Sequence, residues 1–443
     1  MQLPPIHFGL LFSIISFTVL VWAICWRIAP SGRERFLITG VFGGMCFYSG
    51  VGAAVGPPLF EYCWYYGAFV VAVAAGFLAV VRNDRPACGG AFARRVTDLG
   101  QSRTFRISVA AIYLGTAMVP LLYPEIRLSN IWNPPAPDLI AILNGGIPPE
   151  QPLLLRINTY IALLTWPFYL IALHAARRRY GWLAVGIILP VYLTYCATAY
   201  VGRSEMVMCT ALFVGVVWLD QPTMRPRLAL ITAIFLPLLL IAFGAYSRIR
   251  LGAAMDRGVT ATELIENVLL VESSLPRSWD ELDRSRQHAD LRAYFLWLLT
   301  LPVPKVVTGE MSKVRVNKDL SAIVTGIYPG DESYTITLCG PVLESIYIYG
   351  KGWFWIHGIF IGLVAGAMCL LIGRCQPLLV MFVQIALQFG YVFNRAGVGA
   401  LIPPLMNAYL LFYALLFAWW CMGESVGHGR SGVPASAPVP VQG

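Results

Sequence analysis

Charged side chains are scarce: they make up 12% of the 443 residues, about half of what a soluble domain carries. That scarcity excludes an ordinary soluble fold, and a mean hydropathy of +0.67 agrees. Ten cysteines are present without one C-x-x-C pair, which leaves neither a zinc site nor a disulfide framework to expect. The long polar loops contain no D-x-D, and no His/Glu cluster occurs, so neither a metal nor another cofactor is predicted. Internal repeats and paired Gly/Pro-broken helices are missing too. Ionisable residues avoid the centres of the apolar runs, with His174 and Glu205 close to run ends. A transporter or flippase would bury such groups mid-span, so that class ranks low.

What is abundant is apolar sequence in runs of about 18 to 23 residues, the length that crosses a hydrocarbon core of roughly 30 Å as a helix. Each run must be helical, because a lone segment in lipid satisfies its backbone only within itself. The fold class expected is therefore an all-α polytopic membrane protein. Its spans fall near 7–26, 36–56, 59–81, 106–123, 155–175, 181–200, 203–219, 227–246, 353–373, 377–394 and 399–422, about eleven helices. The formal charge of +9 would point to nucleic acid in a soluble protein. Here the basic residues sit in short loops and set orientation instead, so no nucleic-acid partner is expected. Arg27 to Arg35, Arg82 to Arg106, Arg177 to Arg179, Arg225 with Arg227, and Arg374 occupy alternate loops. The amino terminus is then outside and the Pro/Ser/Ala/Gly-rich tail from Gly423 inside. Arginines follow the first run rather than precede it, the reverse of a cleavable signal peptide.

This divides the chain into an eight-span bundle (1–246), a large outer loop (247–352), three further spans (353–422) and a disordered inner tail (423–443). A second outer loop, 124–154, is turn-rich, with "NPPAP" and "NGGIPPEQP" around one short helix near Asp138 to Leu143. The large loop is too long to lack structure. "TATELIENVLLVESSL" (260–275) reads as a helix capped by Thr260, and 278–305 as one helix that turns apolar at Tyr294 and stops at Pro302 and Pro304.

Four arginines lie at the outer boundary, where the charge rule disfavours them: Arg203 in "YVGRSEM", Arg248 and Arg250 after the eighth span, and Arg395 in "FNRAGVG". Guanidinium groups grip phosphate bidentately, and they also snorkel to lipid head groups. Lys305, Arg315 and Lys318 lie in a proline-framed, turn-rich segment whose amides and cations can cradle phosphate, or simply be solvated. "CGPVLESIYIYGKGWFWIHGIFIGLVAGA" then leads into the ninth span. Helical spacing puts Glu344 and Tyr347 on one face, Tyr347 and Tyr349 suit an interfacial aromatic belt or a ligand, and Gly350 and Gly352 flank Lys351. Glu344 is placed either to accept a proton from a hydroxyl or to pair with an arginine.

The pattern "G-x-x-x-E-x-x-x-x-x-G-x-G" running into a span, the earlier "VGRSEMVM" and the two-long-loop layout resemble the bacterial oligosaccharide repeat-unit polymerases of the Wzy type, which make O-antigen and capsule. Arg315 to Gly326 also satisfy the R-x10-G pattern of some members, whereas the frequent "PR...W...KP" is reduced here to "LPVPK". The resemblance implies a GT-C-like glycosyltransferase of the inner membrane that joins undecaprenyl-diphosphate-linked repeat units at the outer face. A flippase and a chain-length regulator would be its partners, beside membrane lipids. It also implies that Glu344, Arg203 and Arg248 carry the chemistry, and that Arg250, Lys305, Arg315, Lys318, Tyr347, Tyr349 and Arg395 hold substrate. An O-antigen ligase shares this layout and donor, and in that family a loop histidine accompanies the arginines; His288 lies in the loop and is either that residue or, the more ordinary reading, a solvated histidine on a helix face. A structural subunit of an envelope assembly is the remaining alternative.

Reporter fusions after Arg179 and Arg374 are expected to read cytoplasm, and fusions at Gly146 and Arg315 periplasm. A cytoplasmic Arg315 would remove the basis for outer-face polymerisation.

Overall fold

The computed structural model describes residues 6–54, 58–82, 90–122, 153–181, 203–234, 275–301, 316–327, 340–399 and most of 401–418. The described residues form an all-helical membrane protein with no β-strand among them. In chain order the main helices are α1 (Phe8–Ile28), α2 (Gly32–Met45), α3 (Phe60–Val81), α4 (Gly90–Gln101), α5 (Arg103–Met118), α6 (Leu153–Tyr180) and α7 (Arg203–Asp220). After these come α8 (Leu275–Ser285), α9 (Leu291–Thr300), α10 (Val316–Thr325), α11 (Gly340–Trp353), α12 (Trp355–Met368) and α13 (Leu379–Leu387).

Five helical segments among the described residues are long and apolar enough to cross a membrane: Phe8–Ile28, Gly32–Ala54, Phe60–Val81, Trp355–Gly373 and Gln376–Phe393. Each matches an expected span. Helices α6 and α7 cover the runs expected at 155–175 and 203–219, and α5 with the 3-10 turn Val119–Leu122 after it follows the run expected at 106–123 as far as Leu122. The run at 181–200, most of that at 227–246, the short helix near Asp138 and the helix expected over 260–275 lie outside the described residues.

The closest packing joins α3 to α12. On α12, Gly358, Gly362 and Gly366 recur every four residues and so share one face. A Cβ on Gly362 would collide with the Val73 carbonyl oxygen, and one on Gly76 of α3 with that of Ile359. With no hydrophobic drive between helices in lipid, such backbone approach supplies dispersion contact that larger residues would prevent. A second close pair brings Gly40 and Gly44 of α2 against Gly390. There the chain widens into a π turn, Gln388–Phe393, which disturbs the regular carbonyl pairing. The fully buried Asn394 repairs it, its Nδ2 donating to the carbonyls of Val41, Phe389 and Gly390 at 3.1, 3.0 and 3.0 Å.

The basic end of the bundle is tied by ions. Ser31 and Glu34 form a capping box at the start of α2. Buried Glu34 also accepts from Arg374 Nε at 3.1 Å, and Arg33 donates to the Gly373 carbonyl at 2.5 Å. Arg177 pairs with Asp220.

The polar-to-apolar helix expected over 278–305 is two helices. Arg286 turns out of α8 at φ 50, and Asp290 caps α9 by accepting from the N–H groups of Arg292 and Ala293 at 2.9 and 3.3 Å. An N-cap aspartate with extended backbone competes effectively with helix continuation, a local preference that the hydropathy pattern does not register.

Gly362→Ala is expected to destabilise the protein by about 1–3 kcal/mol through overpacking. Gly115→Ala, where a Cβ meets open space, should be neutral or slightly stabilising because alanine favours helix. Thermal unfolding in detergent measures both, and equal midpoints would refute the close-contact role of Gly362.

Candidate functional site

Helix α11 begins at Gly340, whose φ of 72 only glycine adopts without strain, followed by a proline suited to a first helical turn. Residues 340–348 are all buried. Helices α8, α9 and α10 of the large loop pack against α11, as do α3 and the 394–396 turn. Gly350 (φ 74) then breaks the helix, so the chain re-enters as α12 along a new axis. The irregular 287–289 segment is pinned by the Ala289 N–H donating to the Tyr347 carbonyl at 2.9 Å.

Glu344 is 1% exposed. Its two oxygens accept the N–H groups of Val398 at 2.5 Å and Gly399 at 2.9 Å. Those are free amides at the start of the next helical stretch, reached through Gly397 at φ 73. The carboxylate therefore caps that helix from 54 residues away, where the positive end of the helix dipole favours negative charge. A Cβ on Gly397 would strike Glu344 Oε2. Among the described residues Glu344 pairs with no arginine; it holds backbone. Burial pushes its carboxyl up to about 7, the hydrogen bonds from Gly399 and Val398 opposing the rise.

Tyr347 is buried and its phenol is pushed up to about 12, mainly by burial. It is therefore no exposed belt residue. Tyr349 is half-buried and packs edge-on to Tyr294 and His357, ring centroids 6.5 and 5.5 Å apart. Burial raises both the Tyr294 and Tyr349 phenols, with Glu344 adding to each.

Lys351 occupies the joint between α11 and α12. It reaches Asp283 of α8 at 2.6 Å and Glu61 of α3 at 3.0 Å, and lies 4.8 Å from the Trp279 ring centroid. Partly exposed, these ion pairs contribute about 0–1 kcal/mol each. Their effect is to join loop, joint and third helix at one point. Beside Lys351 lies a cavity of about 370 Å³ lined by Trp279, Leu282, Asp283, Arg286, His288 and Ile346. Arg286 and His288 are exposed there, His288 approaching Gly350. Cations, a carboxylate and an apolar wall can together bind a polar ligand with anionic character.

Of the residues expected from sequence, Glu344, Tyr347 and Tyr349 come together on α11. Arg395 lies in the turn that Glu344 anchors, its Nη1 donating to the Tyr391 hydroxyl at 3.0 Å. Arg203 opens α7 and Lys318 lies in the first turn of α10. Arg248, Arg250, Lys305 and Arg315 lie outside the described residues. Arg286, Asp283 and Lys351 were not among the expected site residues. Only "GKGW" marked Lys351, and nothing local in sequence links it to Asp283.

Comparison with family models, with curated proteins and with solved structures finds no match for this chain.

Because folded Glu344 holds its proton to about pH 7, the native state binds more protons than the unfolded one between the ordinary carboxylate range and that value. Stability is thus full at low pH and falls as pH rises through about 7. Glu344→Gln should flatten this segment of the midpoint-versus-pH curve, and lower stability by about 1–3 kcal/mol through a lost backbone acceptor. A wild-type slope persisting in the variant would assign the titration elsewhere.

Proposed function

We propose that the chain is an oligosaccharide repeat-unit polymerase, a GT-C-like glycosyltransferase of the bacterial inner membrane with about eleven spans, its amino terminus outside and its tail inside. The donor glycan, held on undecaprenyl diphosphate, passes to a hydroxyl of the next lipid-linked repeat unit. The bond from the anomeric carbon to phosphate oxygen breaks and a glycosidic bond forms. The acceptor hydroxyl loses its proton and the lipid diphosphate departs as an anion. The observation that carries the reading is that α8 and the segment after it fold onto α11, leaving between them a cavity with charged side chains and an apolar wall, beside the start of a membrane-crossing helix. That is where a lipid-linked head group would meet its enzyme.

In this reading Arg203, Arg248 and Arg250 stabilise the diphosphate's developing charge, with Arg395, Lys305, Arg315 and Lys318 extending the basic surface. Tyr347 and Tyr349 lie on α11 beside Ile346 and Lys351, the residues of that helix that line the cavity. Glu344 is a positioning residue: gripping the amides of Val398 and Gly399, it fixes the turn that presents Arg395. A base role would require a path from the acceptor hydroxyl to a carboxylate that is buried beneath the surface of α11.

The second reading, an O-antigen ligase that moves the glycan to the lipid A core, is favoured by one observation, His288 beside Arg286 in the cavity. Surface glycan from a deletion strain, run on a gel, separates the two. A single capped repeat is expected for a polymerase, and bare core with free lipid-linked polymer for a ligase. In the complemented strain, Arg203→Ala with Arg248→Ala is expected to abolish or shorten polymer at unchanged protein level. Arg203→Lys should rescue poorly, lacking the planar fork. Full-length polymer from the double variant would refute the diphosphate role.

A further inference from the structure

A second cavity, of about 350 Å³, lies at the basic end of the bundle, among α4, α5, α6 and the turn before α13. Its lining is Val96, Thr97, Gly100, Gln101, Arg106, Ile171, His174, Ala175 and Pro377. It belongs to none of the candidate chemistry described above, and it includes no carboxylate among the described residues. Asp98, on α4, is exposed and does not line it.

Arg106 gives this cavity its character. Its Nη2 donates to the Gln101 carbonyl at 3.2 Å, while its Nε is buried and finds no acceptor among the described residues. A buried guanidinium N–H left without an acceptor is costly, and an anionic oxygen is the partner that removes the cost. Two further features say what kind of anion fits. Helix α4 is amphipathic, burying Val96 and Gly100 while exposing Arg94, Arg95 and Asp98, the form of a helix that lies along a membrane surface. On α5, the turns beyond Arg106 expose Ile107, Leu114 and Met118, 57–61% accessible, an apolar track leading from the cavity along the helix.

We propose that this cavity binds the phosphate of an anionic phospholipid, its head group on Arg106 and its acyl chains along Ile107, Leu114 and Met118. Basic pockets between membrane helices recognise such head groups in general. The ligand would bridge α4, α5 and α6, and so stabilise the bundle from its basic end whatever reaction the opposite side performs.

The test uses the purified full-length protein in a non-ionic detergent, titrated with dioleoyl phosphatidylglycerol, dioleoyl phosphatidylcholine or inorganic phosphate. Thermal unfolding and native mass spectrometry are the readouts. Phosphatidylglycerol is expected to raise the midpoint and remain bound, with the other two ineffective. Arg106→Gln should weaken its binding about tenfold or more, whereas Arg284→Gln, an exposed residue on α8, should bind as wild type. The wild-type comparison stands even where a variant fails to fold. Equal effects of the two lipids would overturn the proposal, as would an effect reproduced by inorganic phosphate alone or unchanged binding by a folded Arg106→Gln protein.

Discussion

The architecture depends on the backbone contact between α3 and α12. Gly76 on one side and Gly358, Gly362 and Gly366 on the other leave no room for a side chain. This contact bonds an early helix to a late one across nearly 300 residues of sequence, and it fixes where α12 begins relative to the top of α3. Lys351 finds Glu61 only because those ends are level. Trp279 finds Tyr62 and Tyr65 in the same place, with ring centroids 5.5 Å away in both cases. The loop helices are thus assembled on a platform that the glycine contact sets.

A second constraint works at the other end of α11. A buried carboxylate is costly to desolvate, and Glu344 is kept there by two backbone donors rather than by a cation. Arginine partners would add charge-assisted bonds, but they would also bring a second buried charge with its own desolvation cost. Helix-start amides offer partial positive charge without that addition. Asn394 acts on the same turn through neutral hydrogen bonds to the carbonyls of Phe389 and Gly390, and ties it to α2 through that of Val41. The two side chains hold both the donors and the acceptors of an irregular backbone segment.

The membrane-crossing helices were legible because lipid leaves so few options. The runs expected at 7–26, 36–56, 59–81, 353–373 and 377–394 each meet a long apolar helix with ends shifted by at most four residues. The helical placement of Glu344 with Tyr347 was legible for the same reason, as periodicity alone decides it. Three things were not. The division of 278–305 rests on Asp290, whose capping role depends on a hydrogen bond that competes with helix extension. The partners of Glu344 lie 54 and 55 positions away, beyond any local pattern. The glycines of "GIFIGLVAG" do carry a four-residue spacing, a signal present in the sequence, but the helix they meet is named only by tertiary packing. The same holds for Lys351 and Asp283, each unremarkable alone.

Gly350 has a consequence for helical phase. Along an unbroken helix, each residue's direction is tied to every other by about 100° per step, so the side of α11 that meets the loop helices would dictate the side of α12 that meets α3. With φ at 74, Gly350 cancels that bookkeeping. The loop-facing surface of α11 and the glycine seam of α12 are set independently, although only a few residues separate them. Sequence change in the helices packed on α11 can therefore rotate or reshape the α11 surface while the seam stays in register, so that the two surfaces are free to diverge at different rates over one membrane scaffold.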